Sequence, residues 1–169
     1  LAPGTTNFKT DTFSQEIQLM SASGNTLDWL VGLYYYQEDY DIDEVRSAGD
    51  SFCVPTLAAV SPALGALCLA NEQENAVVTT FSQELESIAL FGQVTWNISD
   101  SWNATLGLRW SADWKNGDFD DQVNNPVLSQ LRAQETTLGM KRDDSKTTGF
   151  ANVSWNVTDD VMFFATWST

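Results

Sequence analysis

Polar and apolar residues alternate along most of this chain with a period of two. The cleanest run is 102–114. Trp102, Ala104, Leu106, Leu108, Trp110, Ala112 and Trp114 fall on one face, and Asn103, Thr105, Gly107, Arg109, Ser111 and Asp113 on the other. Side chains of an extended chain point alternately to opposite sides, so this run predicts a strand with one apolar and one polar face. It is long, because strands of soluble proteins typically have about 5–6 residues. Five further runs predict strands at 12–21, 27–40, 76–96, 142–155 and 161–169. In the 76–96 run, Phe81 and Leu85 have the opposite parity to Ile88 and Leu90, which predicts either a bulge near Glu86–Ser87 or a different register.

The connections alternate in length. Segments 22–26, 97–101 and 156–160 are short turns rich in Asn, Asp, Ser, Thr and Gly, whereas 41–75 and 115–141 are long. In an up-and-down meander this order puts every short turn at one end and every long loop at the other. Transmembrane β-barrels have that anatomy, with short periplasmic turns and long extracellular loops. Trp96-Asn-Ile-Ser-Asp100 recurs as Trp155-Asn-Val-Thr-Asp159, and Thr12-Phe-Ser-Gln-Glu16 as Thr80-Phe-Ser-Gln-Glu84. The unequal spacings exclude a regular solenoid or propeller period and predict chemically similar strand ends at equivalent depth.

Aromatic residues sharpen the picture. Trp29, Trp96, Trp102 and Trp155 lie within a few residues of a short turn, and Tyr35, Trp110, Trp114 and Trp167 lie at the far strand ends. Two aromatic levels with small or aliphatic residues between them resemble the girdles that anchor an outer-membrane barrel at both interfaces. Twelve steps of strand span roughly 40 Å. Tilted by about 40°, they cover roughly 30 Å of membrane normal, enough for an apolar band of about 25 Å and both girdles. The expected fold is all-β: an antiparallel up-and-down meander of about six strands, part of a transmembrane outer-membrane β-barrel. Six strands cannot close a barrel, since small natural ones use about eight. The chain therefore reads as an incomplete barrel, excerpted from a longer polypeptide. The alternative is a soluble β-sandwich with its tryptophans in the core.

Segment 52–70 carries no charge and has the length of a membrane helix, but Pro55, Pro62 and Gly65 interrupt it. Cys53 and Cys68 nearly bracket it. It reads as a loop lobe with a short helix, closed by a Cys53–Cys68 disulfide as an oxidising compartment permits; two free thiols are the alternative.

Charge and composition then narrow the function. With Lys+Arg 8 against Asp+Glu 23, the net charge of −15 argues against nucleic acid as a partner. Seven Trp and 43% hydrophobic residues argue against disorder. His is absent, which removes the commonest metal ligand and the usual general base near neutral pH. No metal site, cofactor or catalytic residue is expected: neither Cys has a His partner, and there is no Gly-rich phosphate loop. The acidic runs Glu38–Glu44 and Asp118–Asp121 offer hard oxygen ligands for a divalent cation, or contact with divalent-bridged lipopolysaccharide. A solvated acidic loop is the plainer reading. Asn97, Asn103, Asn152 and Asn156 each begin a glycosylation sequon, read as chance in an Asn/Ser/Thr-rich barrel.

The runs Phe13-Ser-Gln-Glu-Ile-Gln-Leu19, Leu27-Asp-Trp-Leu-Val-Gly-Leu-Tyr-Tyr35, Leu90-Phe-Gly-Gln-Val-Thr-Trp96, Ala104-Thr-Leu-Gly-Leu-Arg-Trp110 and Asp159-Asp-Val-Met-Phe-Phe-Ala-Thr-Trp167 resemble barrel strands of TonB-dependent receptors. The likeness covers most strand-like parts, about half the chain, and little of the loops. It implies a 22-stranded barrel closed by a plug domain of the same chain, neither plug nor TonB box matching any segment here. It implies the outer membrane of a Gram-negative bacterium, with the lipid bilayer, lipopolysaccharide and the TonB complex as partners. The implied role is energised uptake of a small-molecule ligand of the iron–siderophore, cobalamin or oligosaccharide class, without chemistry on it. Ligand contacts are expected from the loops and from Tyr34, Tyr36, Arg109 and Asp113, whose Tyr and Arg side chains suit planar or sugar ligands. A lumen lining that touches only plug or water is the competing role for these four. A passive outer-membrane channel and a secreted carbohydrate-binding β-sandwich are the alternative functions.

Overall fold

Alternation carries the chain into six strands: β1 (Gly4–Met20), β2 (Leu27–Ala48), β3 (Gln73–Ser99), β4 (Trp102–Val123), β5 (Glu135–Thr158) and β6 (Val161–Ser168). This computed structural model describes residues 4–169. The strands form one antiparallel sheet in the order β1-β2-β3-β4-β5-β6. No second sheet occurs among the described residues, which sets the sandwich aside.

The strands run well past the positions where alternation ends; β3 has 27 residues and β5 has 24. This corrects the expected loops 41–75 and 115–141, which shrink to 49–72 and 124–134. The physical reason is the ladder. Once two antiparallel strands are in register, each further residue pair satisfies its backbone N–H and C=O groups whatever its side chains are. Polar residues on both faces therefore conceal strand that the backbone still makes. The breaks at the other end are also tighter than expected, with only 100–101 and 159–160 between neighbouring strands, and 21–26 between β1 and β2. β3 is continuous. Phe81 lies 6.4 Å edge-on from Tyr40, and Phe91 covers Gly32, so odd positions of β3 meet even positions of β2 in both places. One parity serves, and a one-residue bulge at Glu86–Ser87 is not required.

The chain divides into two compact units. One comprises Phe13–Gln37, Leu85–Trp114 and Asp143–Thr169. Its β1–β2 turn uses Gly24 at φ 89°, a conformation that costs glycine little. The Asp28 carboxylate accepts bonds from the Gly24 and Asn25 amides. The Trp-Asn repeat has a structural basis here. The Asn97 amide donates to Thr26 O at 2.9 Å and the Asn156 amide to Ser101 O at 2.8 Å, so each repeat closes its strand onto the residue just before the neighbouring strand begins. Trp155 stacks on Trp102 with centroids 5.2 Å apart and pairs with Phe163 of β6. All seven tryptophans, with apolar residues such as Leu106 (63%) and Leu108 (67%), are exposed. In water the exposed part of each would forfeit a share of the roughly 1.5–3 kcal/mol that full burial of a large apolar side chain gains.

The other unit comprises Glu38–Glu84 and Lys115–Arg142 with the start of β1 through Thr12. Here α1 (Asp50–Phe52) leads into the uncharged segment, which folds as a π-helical stretch (Cys53–Ala58) and α2 (Pro62–Leu69), with α3 (Leu128–Leu131) between β4 and β5. Among the described residues no helix is long and apolar enough to cross a membrane. Cys53 and Cys68 are joined by a disulfide, Cα–Cα 5.6 Å. They form a core with Ala48, Leu57, Ala76 and Val127. Gly65 sits so close to Ala58 that an added Cβ would lie 2.4 Å from the Ala58 Cβ. Asn125, fully buried, ties the two connections together: its Oδ1 accepts from the Val127 and Leu128 amides, and its Nδ2 donates to Asn71 O.

The disulfide closes a loop of separation 15, which in the chain-entropy model is worth about 3 kcal/mol. The double substitution C53S/C68S should accelerate hydrogen exchange of the α2 amides by about two orders of magnitude and leave β4 amides unchanged. Equal protection of α2 in both proteins would show that the lobe holds without the bond.

Candidate functional site

Three of the four residues expected to contact ligand cluster together in the unit that holds 85–114, and Asp113 lies farther along the same face of β4 as Arg109. Tyr34 and Tyr36, two apart in β2, stack at 6.5 Å and 12°. The Arg109 guanidinium of β4 lies 5.7 Å from the ring centroids of both Tyr34 and Phe91, and its Nε donates to Ser111 Oγ. Asp113 is engaged differently, accepting a short bond from Ser87 Oγ of β3. Sequence reasoning passed over Phe91 and Phe150, whose rings lie over Gly32 and Gly107 of the adjacent strands. A Cβ added at either glycine would meet a ring atom at 2.2 Å. The signal was available, since a glycine inside a strand often marks such a close approach. Phe91, Gln93, Arg109 and Phe150 line a concavity of about 420 Å³ with Leu30 at its side. It offers ring faces and a permanently charged, planar guanidinium.

The unit that holds the lobe has a larger cavity of about 620 Å³. Its apolar wall is Phe52, Val77, Leu128 and Leu131, and its charged groups are Glu44, Arg46 and Arg132. Arg46 Nε bonds Glu44 at 2.8 Å. Arg132 Nη2 bonds Asp121 at 2.7 Å, and buried Asp121 also accepts from Thr79 Oγ1 at 2.6 Å. The pattern of β strands could not reveal this cavity, because its walls come from β1, β2, β3, the helical lobe and α3.

The acidic runs lie along strands, and Asp39, Asp41 and Asp118 border one depression with Asp11, Glu84 and Lys9. Lys9 pairs with Asp11 at 2.8 Å, Asp118 accepts from the Gly139 amide, and Asp120 accepts from Thr136 Oγ1 and Gln122 Nε2. Among the described residues no three carboxylates are grouped to hold a metal ion. Three sequon amides are engaged between strands: Asn97 with Asn25 O and Asp28, Asn103 with Ser154, and Asn152 with Ala165 O and Thr166.

A family model described as TonB dependent receptor-like, beta-barrel, matches residues 2–169. The chain belongs to the TonB-dependent receptor β-barrel family. That family is a class of outer-membrane proteins of Gram-negative bacteria. The crystal structure of the ferric yersiniabactin uptake receptor FyuA from Yersinia pestis matches the fold with a TM-score of 0.70 at 14% identity, over 96% of this chain and 21% of that one. The chain thus spans about a fifth of that receptor's length. No curated protein sequence matches it.

G107V drives a branched side chain into the Phe150 ring and should lower stability by about 1–3 kcal/mol, read as a lower temperature at which the folded band disappears on unheated gels. F150A should recover part of the loss in the G107V background; an unchanged transition in G107V would remove the ring-over-glycine contact. Asp120 should titrate below the ordinary carboxylate range, chiefly because Thr136 donates to its charged form. A depressed folded pKa contributes stability above the unfolded value that is lost as pH falls through the folded one. In T136A the carboxyl resonance should move up toward the usual range; an unmoved titration would remove the hydroxyl as its cause.

Proposed function

We propose that this segment is part of an outer-membrane receptor that binds a scarce small molecule and imports it with energy from the TonB complex, leaving the molecule chemically unchanged. The observation that carries the reading is the exposed apolar face of β4, with Trp102 and Trp114 at its two ends and Leu106 and Leu108 between them. Such a face suits lipid, with the indole rings at the two interfaces. Family membership supports the same assignment. On this reading 21–26, 100–101 and 159–160 are periplasmic turns, and the disulfide lobe with the 124–134 connection is extracellular. Lipopolysaccharide borders the outer ends of the strands, and a plug domain of the same chain fills the lumen beside Tyr34, Tyr36 and Arg109. Among ligand classes, iron–siderophore complexes take precedence over cobalamin and oligosaccharides, because the structural neighbour FyuA is a ferric yersiniabactin uptake receptor.

The full-length native protein, expressed in a Gram-negative host, should fractionate with the outer membrane. Cells with functional TonB should accumulate at least one member of a panel of radiolabelled ferric siderophores, cyanocobalamin and malto-oligosaccharides, and cells lacking TonB should not. Accumulation independent of TonB would replace this reading with a passive channel. Recovery of the protein in a soluble fraction would remove the membrane assignment altogether.

A further inference from the structure

We propose that the cavity beside the disulfide lobe binds a carboxylate carried on an apolar body. The proposal rests on the receptor reading only in making this molecule, or a part of one, the cargo. Its size, about 620 Å³, is that of a small-molecule site, and its make-up matches one: an apolar wall with a few charged groups. Phe52 and Val77 face it together with Leu128 and Leu131 of α3.

The charge balance at this cavity departs from the rest of the chain. The net charge is −15, and the chain has only eight Lys and Arg. A nearby depression of the same unit shows the usual balance, with Lys9 alone among Asp11, Asp39, Asp41, Glu84 and Asp118. The lobe cavity differs, with two guanidinium groups and the Glu44 carboxylate on its lining and Asp121 paired with Arg132, two cations to two carboxylates. Each guanidinium meets its acidic partner through a single nitrogen, Nε of Arg46 and Nη2 of Arg132. A guanidinium has five N–H donors in a planar fork that matches a carboxylate, so donors remain on both groups. Neither is deeply buried, the side chains being 43% and 47% exposed, so a ligand can reach them. With Glu44 beside Arg46 and Asp121 beside Arg132 the two cations are balanced, so the free donors on the two forks suit one carboxylate better than a phosphate dianion. The walls are held before any ligand arrives, by the Cys53–Cys68 bond and by Asn125, so little ordering is left to oppose binding.

The test uses the full-length receptor in detergent and two probes of one shape, 2-naphthoate and neutral 2-naphthamide, in equilibrium dialysis against a micelle-only blank. Naphthoate should bind at least tenfold more tightly than naphthamide. R46Q removes one fork and leaves only the partly exposed Glu44 without it, and L131D places a carboxylate on the exposed rim; each should weaken naphthoate binding at least tenfold with an unchanged folded band on unheated gels. Equal binding of acid and amide, binding no greater than the blank, or unchanged affinity in R46Q would overturn the proposal. Naphthoate binding with these dependences in a protein that supports no TonB-driven uptake would keep the site and defeat the transport reading. TonB-driven uptake in a protein that binds no naphthoate would do the reverse.

Discussion

The apolar face of a strand in this sheet is costly to leave in water, and among the described residues no second sheet covers it. This constraint organises the rest. Leu106, Leu108 and all seven tryptophans remain exposed because the described strands form a single layer. In a lipid environment the same surface carries no penalty, while an unpaired backbone N–H or C=O becomes the expensive group. The long antiparallel ladder meets that second demand. It also accounts for strands of 22 to 27 residues from β2 to β5, since pairing continues for as long as a neighbour is alongside.

The lobe solves the opposite problem. Its segment 52–70 is uncharged, and it folds into short helices around a small apolar core. Because that core is small, it depends on covalent and polar fastening. The disulfide limits the unfolded alternatives, and Asn125 satisfies three backbone groups from two separate connections, the Val127 amide among them buried. The result is a rigid wall of a cavity, an arrangement that the strands alone would not provide.

The two concavities differ in kind. Around Arg109 the neighbours are ring faces, with Tyr34 and Phe91 both at 5.7 Å, and the cation is held by quadrupoles and a hydroxyl. Around Arg46 and Arg132 the neighbours are carboxylates on one side and apolar walls on the other. The first suits a plug surface or a planar molecule, and the second an anion with an apolar tail. A strongly acidic chain that concentrates two of its few cations at one cavity makes local charge there a better guide than net charge.

Much of this was legible in the chain. Alternation located all six strands, since the face a strand residue takes is a local property of extended backbone, and the Trp residues at both ends of the apolar runs are as plain in the sequence. The turn positions were equally local, set by Gly24 and by clusters of Asn, Asp and Ser. Tertiary structure alone decided where the strands stop, because pairing through 41–48 and 115–123 depends on a neighbour in register and not on side-chain pattern. It also decided which distant residues meet. Arg132 reaches Asp121, Phe150 covers Gly107, and Asn125 holds Asn71, in each case across separations that no period in the sequence encodes. Three-dimensional juxtaposition made the cavities, and composition along the chain could supply only their ingredients.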